Sequence, residues 1–503
     1  MAEADAGTAA RPAVDQATND ASARPPAPTR GTYLILANLM LASFMTVLNT
    51  NMIRVAVGEL LRAFDISVTR LTWVFTSYTL VYAILMPIFG RVGDMYGRKR
   101  LFVGGLTVFA AGSAMCSIAW GFQSLVVFRC VQALGAAAVY PNALIMATDL
   151  FGPERRGRVL GIWAASSSLG SMIGPTVGGF LAQFFSWQSI FFVNIPIGVI
   201  AVVAGYFQLR ETKRGSKGEP FDVGGALTLG VAVLCVLLYL TGIQEWGRGT
   251  WRAPVLIGAC AAAVYSFVRI EQRSSTPMVD LAMFANPAMI LALTLGAIHM
   301  FCGQGSTFMM PLFLTEVKKF SPAIMGLILF PGSLVGVIGS PISGGLADRF
   351  GSRRPVIAGM LARSVANAMF ALMTSASQIW AIISLRFVLA FGGSATWSPL
   401  LSFVLAENPQ ERGGVVVGVF NMLRMIGGIL GTTLTGMMID AQMTSGQWNS
   451  GATVTPFGGV PGFFGGFMML AVLSLIGSLL ASNLRHTQAA SAQLEAQRAA
   501  AGL

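Results

Sequence analysis

The feature that most constrains this chain is a succession of apolar runs, each about as long as a bilayer is thick, parted by short loops that hold most of the charge. A helix needs about 20 apolar residues to cross the hydrocarbon core. In that core only helices and closed barrels satisfy their own backbone polar groups. Runs at 33–54, 72–90, 101–120, 123–146, 158–182, 188–208, 223–243, 252–269, 288–309, 322–345, 355–374, 378–405, 413–438 and 462–482 predict fourteen transmembrane helices. The expected class is an all-α polytopic membrane protein. Charged residues make up only 11% of the chain, against roughly 25% in a soluble domain.

The basic residues set the orientation. With both termini inside, 22 of the 33 Lys and Arg fall in inner tails and loops, 7 in outer loops, and four (Arg129, Arg363, Arg386, Arg424) within helices. This asymmetry predicts cytoplasmic termini and a bacterial inner (plasma) membrane location. It also makes the net charge of +12 a property facing the inner leaflet of the lipid bilayer, with no nucleic-acid partner. Residues 1–30 read as a disordered cytoplasmic tail and 485–503 as a second tail. The first run, from Tyr33, is too long and too far along the chain for a cleaved signal peptide. Five scattered cysteines and two histidines offer no disulfide framework and no metal-ligand spacing. No phosphate-binding GxxxxGK[ST] loop is present, so neither ATP nor another cofactor is expected, and no enzyme.

An internal repeat divides the chain. "GRVGDMYGRKR" (Gly90 to Arg100) and "GGLADRFGSRR" (Gly344 to Arg354) share a glycine, an aspartate four residues on, a glycine three further and a basic pair. Asp94 and Asp348 are 254 residues apart, Arg129 and Arg386 257. The spacing predicts an N-terminal six-helix bundle over 31–210, a linker with two inserted helices over 211–285, and a C-terminal six-helix bundle over 286–484. Repeats of this kind build transporters whose site lies at the repeat interface. Gly90, Asp94, Gly97, Arg98 and Lys99, with Asp348, Gly351 and Arg353, read either as a conformational latch between helices or as a topology anchor of loop charges. Their recurrence at matched places favours the latch.

Further motifs carry a resemblance. "RCVQALGAAA" (Arg129 to Ala138), "GSMIGPTVGG" (Gly170 to Gly179), "FFVNIPIG" (Phe191 to Gly198) and "FD" (Phe221–Asp222) accompany the repeated loop. Together they resemble the major facilitator superfamily, within it the fourteen-helix drug:proton antiporter branch (EmrB/QacA type), over about residues 33 to 482. The resemblance implies a major facilitator fold and proton-coupled efflux of small amphipathic compounds, with the proton gradient as energy source. A periplasmic adaptor and an outer-membrane channel are candidate partners for a longer export path. Gly170, Gly174, Pro175, Gly178 and Gly179 match the antiporter motif. Proline bends a helix and glycines admit a close neighbour, so the segment reads as a hinge, with ordinary small-residue packing as the alternative.

The branch carries L-D-x-T-V-x-N-V-A at its first helix, and the acid of that pattern is linked to proton coupling or cation binding. Here the stretch is "LNTNMIRVA": Asn49 stands for the acid, Asn51 for the threonine, Arg54 for the asparagine. An amide does not titrate in this range. The resemblance assigns Arg129 a part in proton transfer or its support; Gln132, one turn on, shares its face. His299, Asp440, Glu59 and the Asp94 region are the other coupling candidates. Asn49, Asn51, Arg54, Arg363 and Arg424 are candidates for the substrate path. For Arg54 an interfacial anchor or a pair with Glu59 are the competing readings. With no acid in mid-helix, neutral or anionic cargo is expected over cations. An importer, an exporter of one metabolite, or a non-transporting sensor are the alternative functions.

Overall fold

The computed structural model describes residues 30–151, 156–209, 211, 222–246, 251–274, 285–407, 413–443 and 460–485. Each of the fourteen apolar runs coincides with a helix: α1 (Arg30–Met52), α2 (Val68–Tyr96), α3 (Arg98–Ser117), α4 (Phe122–Phe151), α5 (Arg156–Phe184), α6 (Ser189–Gln208), α7 (Val223–Trp246), α8 (Arg252–Arg273), α9 (Pro287–Leu312), α10 (Pro322–Phe350), α11 (Arg353–Ala371), α12 (Ile379–Ala406), α13 (Gly413–Met443) and α14 (Phe463–Ala481). Among the described residues, nine are long and apolar enough to cross a membrane. The least apolar of the remainder, α11, carries Arg353, Arg354 and Arg363 within 19 residues. A short helix, Val57–Phe64, joins α1 to α2, and a π-helical turn, Phe313–Val317, extends α9. The tails at 1–29 and 486–503 lie outside the described residues.

The sequence repeat is also a packing repeat. α1 packs on α5, α2 and α3 on α4, and α3 on α6; eight helices later α9 packs on α13, α10 and α11 on α12, and α11 on α14. The halves meet through α2 against α13 and α5 against α10. α7 and α8 pack on each other, and α7 also touches α2 and α13. Gly230 of α7 seats Ile84 of α2.

Small residues make these contacts close. On α5 a glycine every fourth residue faces α1: a Cβ at Gly174 would stand 2.7 Å from Asn51 Cβ, and one at Gly178 2.6 Å from the Met52 carbonyl. On α13, Gly427 and Gly431 press on Ala297 and Phe301 of α9 in the same way. Such stripes hold helices together where lipid removes the hydrophobic incentive to associate.

One apolar core lies within each half. Phe102, Phe109 and Val139 belong to the first; Val356, Phe403 and Phe420 belong to the second. A third spans both, joining Met52, Leu60 and Phe191 to Phe308, Phe313 and Met325. It lies at the end of the molecule that carries the α1–α2 connection.

Candidate functional site

The repeated loops take the same backbone form. α2 ends at Gly97 with φ +107°, and α10 at Gly351 with φ +77°. Only glycine adopts this region without strain. The first loop docks on the end of α6: the Lys99 backbone N–H donates to Glu211 Oε1 at 3.3 Å, and Arg100 Nε lies 3.8 Å from Glu211 Oε2. Gly93 lets Asn142 of α4 approach α2, where Asn142 Nδ2 donates to the Phe89 carbonyl at 3.1 Å. Glu211 and Asn142 were not singled out from sequence, because a lone carboxylate or amide at a helix end or within an apolar run has no spacing signature. The side chains of Asp94 and Asp348 lie outside what the structure describes.

Asn49 is buried and does not line the cavity between the halves. It belongs to a buried polar network inside the N-terminal half. Asn49 Nδ2 donates to Gln132 Oε1 at 3.3 Å, and its own Oδ1 accepts from Asn194 Nδ2 at 3.1 Å. The same Gln132 oxygen accepts from Arg129 Nη1 at 2.6 Å, while Gln132 Nε2 donates to Ser113 Oγ at 2.7 Å. Arg129 Nε donates to the Val74 carbonyl at 3.2 Å, and its guanidinium lies 4.1 Å from the Tyr78 ring centre. All five polar residues are buried. The charge of Arg129 is thus held by neutral acceptors and an aromatic face, which suits a cation in hydrocarbon better than isolation. Ser113 and Asn194 complete the network. Nothing in the spacing of the sequence joins them to it.

The opposite face of α1 borders a cavity of about 480 Å³ between the halves. Asn49 and Asn51 point to different sides, since residues two apart on a helix are some 200° apart. Asn51 lines the cavity and donates to the Val47 carbonyl at 2.8 Å. Arg54 lines it too, from the turn after α1, and reaches across to Gln304 Oε1 of α9 at 2.9 Å. Among the described residues it forms no ion pair with Glu59; its side-chain bond is to Gln304 of the other half. From the second half come Arg363 and Arg386. Arg363 Nη1 contacts His299 Nδ1 at 3.2 Å. A guanidinium only donates, so that ring nitrogen accepts. Ser171, Ser306 and Ser333 add hydroxyls to the wall; no Asp or Glu is found in it among the described residues.

Arg424 is elsewhere: its guanidinium stacks 3.4 Å from the Trp397 ring centre, and Nη1 donates to Asn421 Oδ1 at 2.7 Å. Of the coupling candidates, Arg129 and Gln132 come together, His299 sits with Arg363, Asp440 is in the last turns of α13, and Glu59 is in the connecting helix. Burial raises the carboxyl of Glu59 above its ordinary range, partly offset by Arg62.

The cavity is closed on the side of that connecting helix. Pro175 meets Gly326, where a Cβ would stand 2.5 Å from the Pro175 carbonyl, and Thr176 Oγ1 donates to the Gly326 carbonyl at 3.2 Å. Gly179 abuts Pro322, and the Ala323 N–H donates to Gln183 Oε1 at 3.1 Å. Gly58 abuts Thr315 of the π turn, and Arg62 lies 3.9 Å from Glu316. So three glycines of the α5 motif face α1, while Gly179 and Pro175 face the other half.

Comparison with known proteins agrees with this architecture. The family model described as Major Facilitator Superfamily matches residues 39–432. The multidrug resistance protein Stp of Mycobacterium tuberculosis (strain CDC 1551 / Oshkosh) is 30% identical over 418 residues, 83% of this chain and 77% of that protein. The riboflavin transporter RibZ of Clostridioides difficile (strain 630) is 27% identical, over 82% of this chain and 90% of that one. Among solved structures, a bacterial homologue of the human lysosomal transporter Spinster, in an inward-facing and unoccupied conformation, aligns with TM-score 0.64 at 17% identity, covering 92% of this chain and 100% of that one.

Proposed function

The chain belongs to the Major Facilitator Superfamily, and from that premise we propose that it is a secondary active exporter of small amphipathic compounds, of the fourteen-helix proton-antiport type. In this reading both termini are cytoplasmic, all fourteen helices cross the inner membrane, and the connecting-helix side faces out. The two halves rock about the central cavity, exposing it alternately to either face. The α5 glycine–proline segment is the hinge. The loops holding Asp94 and Asp348 are the latch. Proton coupling falls to Arg129 with Gln132, His299, Asp440 or Glu59, since Asn49 carries no proton.

The observation that supports this best is the cavity itself. It takes its wall from both halves, is closed at one end, and offers guanidinium and hydroxyl groups with no carboxylate among its described residues. That lining suits neutral or anionic cargo. The relatives named for multidrug resistance support efflux. The named riboflavin transporter supports the second reading, a carrier of a single metabolite.

The deciding experiment is flux in proteoliposomes holding this chain alone, with and without an imposed pH gradient, over a panel of neutral, anionic and cationic compounds. Gradient-dependent export of several compounds is expected, and would need neither periplasmic adaptor nor outer-membrane channel. Flux of one compound only supports the metabolite carrier. Gradient-independent flux refutes proton coupling, and no flux refutes transport.

A further inference from the structure

We propose that Arg54, Arg363 and Arg386 together bind the acidic group of the cargo, so that the transported molecule is an organic anion with an apolar body. The proposal rests on the transporter reading above and deepens it by naming a substrate class and its receptor.

Three guanidiniums enter one cavity from both halves of the molecule, and none is neutralised by a lining carboxylate among the described residues. Their own bonds leave donors to spare. Arg54 gives one hydrogen bond, to Gln304 of the other half. Arg386 makes none among the described residues, and its buried Nε has no partner. Arg363 is 5% exposed, touches His299 through Nη1, and its Nε is likewise buried and unpartnered. Arg54 and Arg386 line one and the same cavity, so two like charges share its wall. Buried donors without acceptors cost free energy, and like charges held together at membrane depth cost more.

A bound anion removes both costs at once. A carboxylate or sulfonate accepts parallel bonds from a planar guanidinium fork, which a neutral or cationic compound cannot do. Because Arg54 belongs to the first half and Arg363 and Arg386 to the second, the bound group also bridges the two bodies that must move. Ser171 supplies a further hydroxyl; Met310, Leu329 and Leu389 offer an apolar wall for the rest of the molecule.

The test uses the purified full-length chain and three probes of one shape: 2-naphthoate, 2-naphthol and (2-naphthylmethyl)trimethylammonium. Charge-assisted bonds of this kind predict naphthoate binding at least about tenfold tighter than naphthol, with the ammonium compound weakest. Arg54→Gln and Arg386→Gln should each weaken naphthoate about tenfold while leaving naphthol within about twofold, which also reports an intact cavity. Arg386→Lys keeps the charge without the fork and should fall between. Equal affinity of the wild-type chain for all three probes overturns the proposal whether or not the variants fold. So does unchanged naphthoate binding in both Gln variants. Flux of the same probes separates the two readings. Arginine-dependent naphthoate binding without flux sustains this site and refutes transport. Arginine-independent flux of the ammonium compound sustains transport and refutes this site.

Discussion

Replacing Asn49 by aspartate restores the acid that the resemblance leads one to expect, and the polar network around it says what should follow. The new carboxylate would face Gln132 Oε1 across the 3.3 Å now spanned by a hydrogen bond, acceptor against acceptor, while Asn194 continues to donate at 3.1 Å. The lost neutral bond costs about 0.5–1.5 kcal/mol. Desolvating a carboxylate at 0% exposure adds several more. Against this stands Arg129, which donates to the same Gln132 oxygen at 2.6 Å. Its charge would be roughly 5–6 Å from the carboxylate, worth about 3 kcal/mol at an effective dielectric near 20. We therefore expect Asn49→Asp to destabilise by about 1–3 kcal/mol alone, and by about 2–3 kcal/mol more in an Arg129→Gln background. Asn49→Ala is the control. Gln132 Oε1 keeps Arg129, and Asn194 Nδ2 keeps the Ile190 carbonyl at 2.9 Å, so only lost bonds and volume are felt and no such coupling to Arg129 appears. Thermal unfolding of the four purified proteins of the cycle, followed by intrinsic fluorescence, reads the coupling as about 4–12 °C for a unit the size of one half. A cycle that closes within about 0.5 kcal/mol would show that Asn49 and Arg129 do not share a network.

Three other expectations follow from the geometry. Gly326→Val sets a side chain against the Pro175 carbonyl and Thr176 Cα, so α5 and α10 must part there, and a cysteine introduced at Ser333 should be alkylated faster from the connecting-helix side; an unchanged rate refutes closure at that point. Gly97→Ala and Gly351→Ala each force an L-residue to positive φ, at about 1–2 kcal/mol, yet only Gly97 also meets Glu211 while Gly351 faces open space; the first should lower the unfolding temperature more than the second. For Glu59, burial raises the folded carboxyl above its ordinary 4.5, so its contribution is fully favourable below that value and is lost as pH rises through the raised one. Glu59→Gln should therefore stabilise at pH near 7.5, by less than about 1 kcal/mol because the group is partly exposed, and the gain should vanish as the pH falls to about 4.5.

The apolar runs fixed the helices well because burial in lipid is a property of composition, read over twenty residues at a time. The repeated glycines were equally legible, since positive φ leaves almost no other choice of residue. Asn49 was not. Its neighbours in the sequence show a missing acid, but its partners Ser113, Gln132 and Asn194 come from three other helices and are joined only by tertiary packing. Arg54 is legible only as a position near the end of α1; that it lines the cavity and bonds Gln304 is set by tertiary packing. Arg129 and Arg386 show the limit of arguing from the repeat. They occupy matched helices, α4 and α12, yet one is bonded within its own half and the other faces the space between.

The inserted pair has a consequence of its own. α8 is apolar enough to span a bilayer, yet almost none of its apolar surface is buried by protein; it rests chiefly on α7. In the proposed fourteen-helix arrangement its surroundings are acyl chains, which set limits on length and polarity but not on shape. A side chain on α8 has few neighbours to clash with and leaves little cavity when shortened. That helix should accept exchange for an unrelated apolar segment of equal length, so long as Gly224 and Gly225 of α7 keep their seat against Ile270 and Glu271. Most of the chain answers to its own packing; this part answers to the thickness of the membrane around it.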